Sequence, residues 1–334
     1  MKILDDGTIN SMKISIAMTT CNGDKFLNEQ LESILNQTVP PSEIIICDDA
    51  STDDTIKVIE LFQKQHTAVP IHLFRNPVRL GSSGNFEQAI RHTSGEIIFL
   101  ADQDDYWLPE KIEKMINLLL HSPHAGGVFS NSKLVDANLN DLGRSHWQNR
   151  GFPDDLRHFQ SASRLEKLAL FLTRVPAAGH AVAFRSSLKA ILLPFPGLPE
   201  CHDTWIGMIL AALDQWECTG EQLTLFRQHG ANASNSGQKF SLAAQWREAR
   251  RSIAKNTFAW NAELYRCLLT RLDGRCPADV MDLLSDRMEH SQARANMNRS
   301  LLKRFPFILA ETRNARYFRY GRGFKSILQD LFLR

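Results

Sequence analysis

Three times by residue 105 a short run of β-branched and other apolar residues breaks off into a polar, acid-rich loop: 13–18 (KISIAM) before TTCNGD, 43–47 (EIIIC) before DDASTDD, and 96–100 (EIIFL) before ADQDD. Runs apolar at nearly every position mark strands buried on both faces. The segments between them repeat apolar residues at helical spacing: Phe26, Leu27, Leu31, Ile34 and Leu35 in one, Ile56, Val58, Ile59 and Phe62 in the next. A further strand is predicted at 69–74, and a helix follows Gly84–Asn85. Alternating β and α units require an α/β fold with a mainly parallel sheet flanked by helices. Ligands of such sheets bind beyond the carboxyl ends of the strands, so the three acidic loops converge on one ligand.

Farther along, the pattern predicts a helix from Pro109 to about Leu120, a strand in GGVFSNSKLV, a helix at 162–172, a strand at 180–184, a helix opened by Thr204 and a strand at 223–227. The polar stretch 145–158 takes no assignment. With 334 residues, 43% of them hydrophobic, the chain has room for a substantial core. No apolar run reaches the ~18 to 20 residues that span a bilayer, and MKILDDGTINSM lacks the apolar stretch of a signal peptide. The expected location is cytoplasmic, peripheral to the inner face of the cell membrane. The six cysteines show no CxxC spacing and read as reduced packing residues.

The formal charge of +2 conceals an asymmetry: residues 241–334 hold 18 Lys/Arg against 9 Asp/Glu, and look helical and basic. In 303–334, Tyr317, Tyr320, Phe324, Ile327, Leu328 and Leu331 fall at helical spacing among eight cations. That stripe suits either an anionic membrane surface or ordinary packing on the rest of the chain. No nucleic-acid partner is expected.

Four clusters can carry chemistry. Asp102 and Asp104, two apart at a strand end, suit a hard cation such as Mg2+ or Mn2+ bridging a diphosphate; an acidic turn before Pro109 equally suits a helix start. Asp49 can accept a nucleobase N–H, although Ser51 and Thr52 beside it read as helix caps. Asp203, next to Trp205, is either a base for a hydroxyl proton or the N-cap of its helix. Arg227 can bind phosphate and His229 a divalent cation, or the pair belongs to a surface turn. Gly81–Ser82–Ser83–Gly84 lacks the Lys-Ser/Thr of a phosphate-binding P-loop.

In this order, ISIAMTTCNGDKFLNEQLESILNQT, IIICDDASTDDT, RNPVRLGSSGNFEQAI, GEIIFLADQDDYWLPEK, AAGHAVAFRSSL, PFPGLPECHDTWIG and LFRQHGANAS resemble the family-2 glycosyltransferases, especially their rhamnosyltransferase-like bacterial branch. The resemblance implies a GT-A, Rossmann-like α/β catalytic domain at 12–238, after an N-terminal tail at 1–11 and before a helical basic region at 239–334. It implies an inverting transferase that moves a sugar, L-rhamnose from dTDP-rhamnose first, to a hydroxyl of a glycan or lipid-linked acceptor in cell-surface polysaccharide synthesis such as O-antigen. UDP-hexose and UDP-N-acetylhexosamine are the alternative donors, and an inactive glycan-binding scaffold is the alternative of another class. A nucleotidyltransferase would open with a glycine-rich, arginine-containing loop, which TTCNGDKF lacks.

Carried over residue by residue, the resemblance implies that Thr19 and Asp49 contact the base and that Asn85 lies near the ribose. Gln103, Asp102 and Arg227 complete the nucleotide-sugar site. Asp102 and Asp104 form a DxD-type metal motif with His229, Asp203 is the base, and Trp107, Gly179 and Trp205 meet the acceptor. Two departures stand out: the acceptor loop reads PAAGH without the usual small polar residue before glycine, and ten residues precede Ser11, so that Met12 competes with Met1 as the start.

Overall fold

The computed structural model describes residues 11–152, 156–199, 201–230, 256–298 and 300–332. All of the expected tail but Ser11, and the ANAS end of the last motif, lie outside them. The chain forms two compact units, residues 1–236 and 237–334.

In the first unit β1 (Ile14–Thr20), α1 (Leu27–Leu35), β2 (Glu43–Asp48), α2 (Thr55–Gln65), β3 (Ile71–Arg75), α3 (Gly81–His92) and β4 (Ile97–Ala101) alternate as the buried runs require. Then come β5 (Tyr106–Trp107), α4 (Lys111–His121), β6 (Gly127–Val135), β7 (Asp141–Ser145), α5 (His146–Arg150), α6 (Leu156–Ser161) and α7 (Arg164–Thr173). The unit closes with β8 (Val182–Arg185), α8 (Lys189–Leu192), α9 (His202–Ala212) and β9 (Trp216–Arg227).

The strands form one sheet in the order β3-β2-β1-β4-β8-β6-β9-β5, with β7 on β6. The β3-β2-β1-β4 half is parallel, and β8 joins it to β6 through antiparallel pairs. Register places Thr20 beside Asp48 and Met18 beside Ala101, so the loops after β1, β2 and β4 leave one edge together. One core layer packs Ile16, Met18, Leu31, Ile44, Ile46, Phe62, Phe99 and Met115 around that half. Another gathers Trp147, Phe152, Phe159, Phe171 and Trp216 around the ring of Phe129, with centroids 5.2 to 5.8 Å away.

Several elements depart from the sequence reading. The expected strand at 223–227 is the end of a twelve-residue β9, paired in parallel with β6 across two register shifts. The polar stretch at 145–158 contains α5, opened by a Ser145–Gln148 capping box, and part of α6. The second unit holds α10 (Thr257–Leu272), α11 (Ala278–Ala295), α12 (Leu301–Arg313), α13 (Arg316–Tyr320) and α14 (Phe324–Phe332). Its last three helices are short because left-handed residues break the chain at Ala315 and Gly323, with φ of 56° and 55°. Among the described residues no helix is long and apolar enough to cross a membrane.

Candidate active site

The loops after β1 and β2 are locked to each other and to α3. Gln103 Oε1 accepts the Cys21 N–H at 2.7 Å and its Nε2 donates to the Cys21 carbonyl at 3.1 Å, which ties the β1 loop to the β4 loop. A Cβ at Gly23 would come within 2.2 Å of Gln103 Oε1, so a larger residue there would displace this amide. Asp48 is a bracket, accepting from Thr20, Ser51 N–H and Ser51 Oγ. Asp49 Oδ1 accepts from Leu80 N–H at 2.7 Å and Asn76 at 3.0 Å, and Oδ2 from Gly81 N–H at 2.9 Å. A carboxylate oxygen has two lone pairs, so Oδ2 can accept one more donor. Asn85 is buried and spans the ends of two strands, donating to the Cys47 carbonyl at 2.8 Å and accepting from Asn76 at 2.9 Å. Thr19 is the penultimate residue of β1, opposite Cys47 of β2.

The strand-four loop carries the densest charge. Asp104 Oδ2 lies 2.8 Å from His229 Nε2, at the far end of β9. Asp102 accepts no hydrogen bond among the described residues, and burial, then the charges of Asp104 and Asp203, push its pKa up to about 7. A partly accessible carboxylate without donors and in the field of two others fits a bound divalent cation, with neutral imidazole as a further ligand. One oxygen each of Asp102 and Asp105 and one ring nitrogen of His180 also lie within 4.8 Å of one another. Asp105 and His180 are fully buried, so they underlie the accessible pair and present nothing to a diphosphate. Asp105 Oδ1 accepts the Arg227 N–H at 3.1 Å, while Oδ2, 3.7 Å from His180 Nδ1, has no hydrogen-bond partner among the described residues.

Beneath them Lys111 is fully buried, donating to the His180 carbonyl at 2.6 Å and Thr224 Oγ1 at 2.9 Å, with its Nζ 3.6 Å from the centre of the Trp107 ring. Burial pulls its pKa well below the usual lysine range, against the opposing pull of Asp105 and Asp102. Arg227, 1% exposed, stacks on Phe26 and donates to the Asp104 carbonyl (2.8 Å), the Ala137 carbonyl (2.6 Å) and Glu29 (2.5 Å). Its guanidinium is thus turned to protein carbonyls and Glu29, where it holds the Asp104 backbone in place.

The helix bearing Asp203 begins two residues earlier than a cap at Asp203 would require. Its N-cap is Cys201, without a side-chain cap bond, and Asp203 sits in the first turn. The orphan N–H groups of Cys201 and His202 are instead taken by Ser83 Oγ of α3, at 2.7 and 3.2 Å. The His202 ring stacks on Phe86, with centroids 4.3 Å apart. Asp203 Oδ1 accepts the N–H of its neighbour Thr204, so its carboxylate stays available to take a proton. Trp107 and Trp205 are 0% and 1% exposed, the latter bonded to the Leu192 carbonyl. Both rings are packed in the core beneath the site. Gly179 is also buried, and a Cβ there would meet His202 Nε2 at 2.9 Å.

Sequence reasoning passed over Ser83, Asp105, Lys111 and His180. All four lie inside the quoted motifs, but only Asp105, in DQDD, stood in a cluster read for its charge.

Burial makes this unit acid-labile through His146, whose pKa is pulled down to about 4 by desolvation, with Arg150 adding. The unfolded chain binds that proton more tightly, so the stability from a neutral His146 is whole above about pH 6.5 and lost as pH falls toward 4. At about pH 5 the loss is on the order of 2 kcal/mol. Thermal melts of wild type and His146→Gln between about pH 7 and 5 check this: the variant's slope should be shallower by that amount. Equal slopes would mean that His146 does not resist protonation.

Comparison with known proteins agrees with this geometry. The model of the family described as glycosyl transferase family 2 matches residues 15–191, more than half the chain. An uncharacterised glycosyltransferase of Nostoc sp., alr2836, is 28% identical over 225 residues, 66% of this chain and 66% of the relative. The dTDP-rhamnosyl transferase RfbG of Shigella flexneri is 33% identical over 126 residues, 36% of this chain and 40% of the relative. The chain thus spans less than two thirds of either relative. S. aureus TarS 1-349, solved with UDP-GlcNAc, superposes with a TM-score of 0.56 at 18% identity over 97% of this chain and 93% of that one, which shows a shared GT-A fold. With its family model, its sheet and its relatives in agreement, the chain belongs to glycosyl transferase family 2.

Proposed function

We propose that the chain transfers a sugar from a nucleoside diphosphate to an acceptor hydroxyl by single displacement with inversion, with the unit up to about residue 238 as the catalytic domain. One observation carries this reading: the Asp102 carboxylate lies in the field of both Asp104 and Asp203, so a base in the first turn of α9 and a cation-type acidic pair after β4 stand close together. Asp203 takes the proton from the attacking hydroxyl, and Thr19 and Asp49 hold the nucleobase. Asn85, Gln103 and Arg227 fix the loops around the donor, and Gly179 keeps the approach to His202 open. A Mg2+ or Mn2+ ion held by Asp102, Asp104 and His229 would neutralise the charge that grows on the departing diphosphate. The donor is dTDP-L-rhamnose, by likeness to RfbG, and the acceptor a glycan or lipid-linked precursor of a cell-surface polysaccharide. A glycan-binding scaffold is disfavoured, because the acidic side chains that transfer requires are all in place.

Thermal melts with Mn2+ and each of dTDP-rhamnose, UDP-glucose and UDP-N-acetylglucosamine test the proposal. A matched donor at about 100 times its Kd stabilises the fold by about 2.7 kcal/mol, which raises the midpoint by roughly 5 to 10 °C. A shift with a UDP-sugar alone would replace rhamnose as the donor. No shift with any nucleotide sugar would sink the transferase reading of this site.

A further inference from the structure

The last three helices of the second unit are inside out for a water-exposed surface. On α12 the residues turned inward are Arg304, Ile308 and Glu311, while Leu302, Phe305 and Leu309, at i, i+3 and i+7, are exposed. On α14 Ser326 and Asp330 are buried, and Phe324, Leu328 and Phe332, at i, i+4 and i+8, face out. Leu302 is 88% exposed, Phe324 72% and Phe332 66%. Phe318 of α13 lies against Phe324, with ring centroids 5.1 Å apart. Meanwhile Tyr317 and Ile308 pack inward with Ile327 and Leu331. The expected stripe is therefore divided: Tyr317, Ile327 and Leu331 pack inward, while Phe324 and Leu328 are on the surface.

Charge decides what that surface faces. Both carboxylates of residues 301–332 are buried in internal pairs: Glu311 with His290 and Arg316, Asp330 with Arg294 and Tyr317. Lys303, Arg313, Arg319, Arg322 and Lys325 are exposed, and none forms an ion pair among the described residues. The outer face thus offers aromatic and aliphatic side chains among cations only. Two copies of such a face repel one another, whereas a bilayer interface rich in anionic lipid accepts both features, apolar groups at the acyl boundary and cations at the phosphates.

We infer that residues 301–332 dock on an anionic membrane surface, with Leu302, Phe305, Phe324 and Phe332 entering the acyl boundary and Lys303, Arg319, Arg322 and Lys325 meeting lipid phosphates. This goes beyond the transfer reaction and does not depend on it. The test is co-sedimentation of the full-length chain with vesicles of phosphatidylcholine alone and of phosphatidylcholine mixed with phosphatidylglycerol. Wild type should partition onto the mixed vesicles and weakly onto the neutral ones. The double variant Arg319→Glu/Lys325→Glu should lose at least roughly 30-fold in partition, since each cation near an anionic surface contributes about fivefold. Phe324→Ser/Phe332→Ser should bind weakly to both vesicle types. These side chains are exposed, so each variant should keep the wild-type melting temperature, and nucleotide binding should not change. Wild type that stays in the supernatant, or variants that bind as well as wild type, would overturn the inference. A dimer in solution that the Phe variants dissociate, without vesicle binding, would give the face to a second copy.

Discussion

Asp203→Asn is expected to lower sugar transfer by ~10² to 10⁴-fold, the usual cost of removing a general base, while nucleotide binding stays unchanged. The structure makes this substitution clean. The free N–H groups at the start of α9 are met by Ser83 Oγ, so helix capping does not depend on Asp203. The one backbone bond it accepts, from Thr204 N–H at 2.7 Å, can be made equally by an amide oxygen. What is lost for stability is a negative charge in the first helical turn, worth about 0.3 to 1 kcal/mol. Transfer followed by mass spectrometry and nucleotide binding by calorimetry, on one preparation, separate the roles. Near-wild-type turnover would leave Asp203 as a first-turn charge and move the search for the base to His202.

The parallel half of the sheet was legible because its strands are buried on both faces and read as unbroken apolar runs in Ile14–Thr20, Glu43–Asp48 and Ile97–Ala101. β9 was only half legible, since Thr219, Gly220 and Glu221 fall at a register shift where no core face exists to impose a pattern. β5 is two residues long, and β7 is exposed at all but its last residue, so neither leaves a periodic trace.

In the site, residue type announced which groups could accept protons or cations, but direction was invisible. Asp104 and His229 were named from separate motifs 125 positions apart, and the fold sets them 2.8 Å from each other. Arg227 was named for the same reasons, yet its guanidinium turns inward. The stacking ring of Phe26 and the Glu29 carboxylate that draw it there lie on α1 and the turn before it, nearly two hundred residues earlier. Ser83 was hidden differently: a serine inside GSSGNF reads as local loop chemistry, and its cap partner is on another helix.

The second large effect is expected at Asp104, where Asn should reduce Mn2+-stimulated transfer by roughly 10² to 10³-fold, the range seen when one preorganised electrostatic group is removed. The loop should survive. The Asp104 carbonyl remains held by Arg227 Nε at 2.8 Å, and an amide oxygen can still meet His229 Nε2 where the carboxylate does now. The change therefore removes charge without removing shape, and melting of the metal-free protein should scarcely move. Added Mn2+ should raise the midpoint of wild type and fail to raise that of the variant, a readout that needs no turnover. Asp102→Asn should be the milder of the two if that residue reaches the ion only through water, since hard cations of this kind keep several waters in their coordination shell. Transfer by wild type that is undiminished in excess EDTA would remove the metal from the mechanism. The crowding of Asp102 by Asp104 and Asp203 would then have to be relieved by a proton, and Asp104→Asn would ease it.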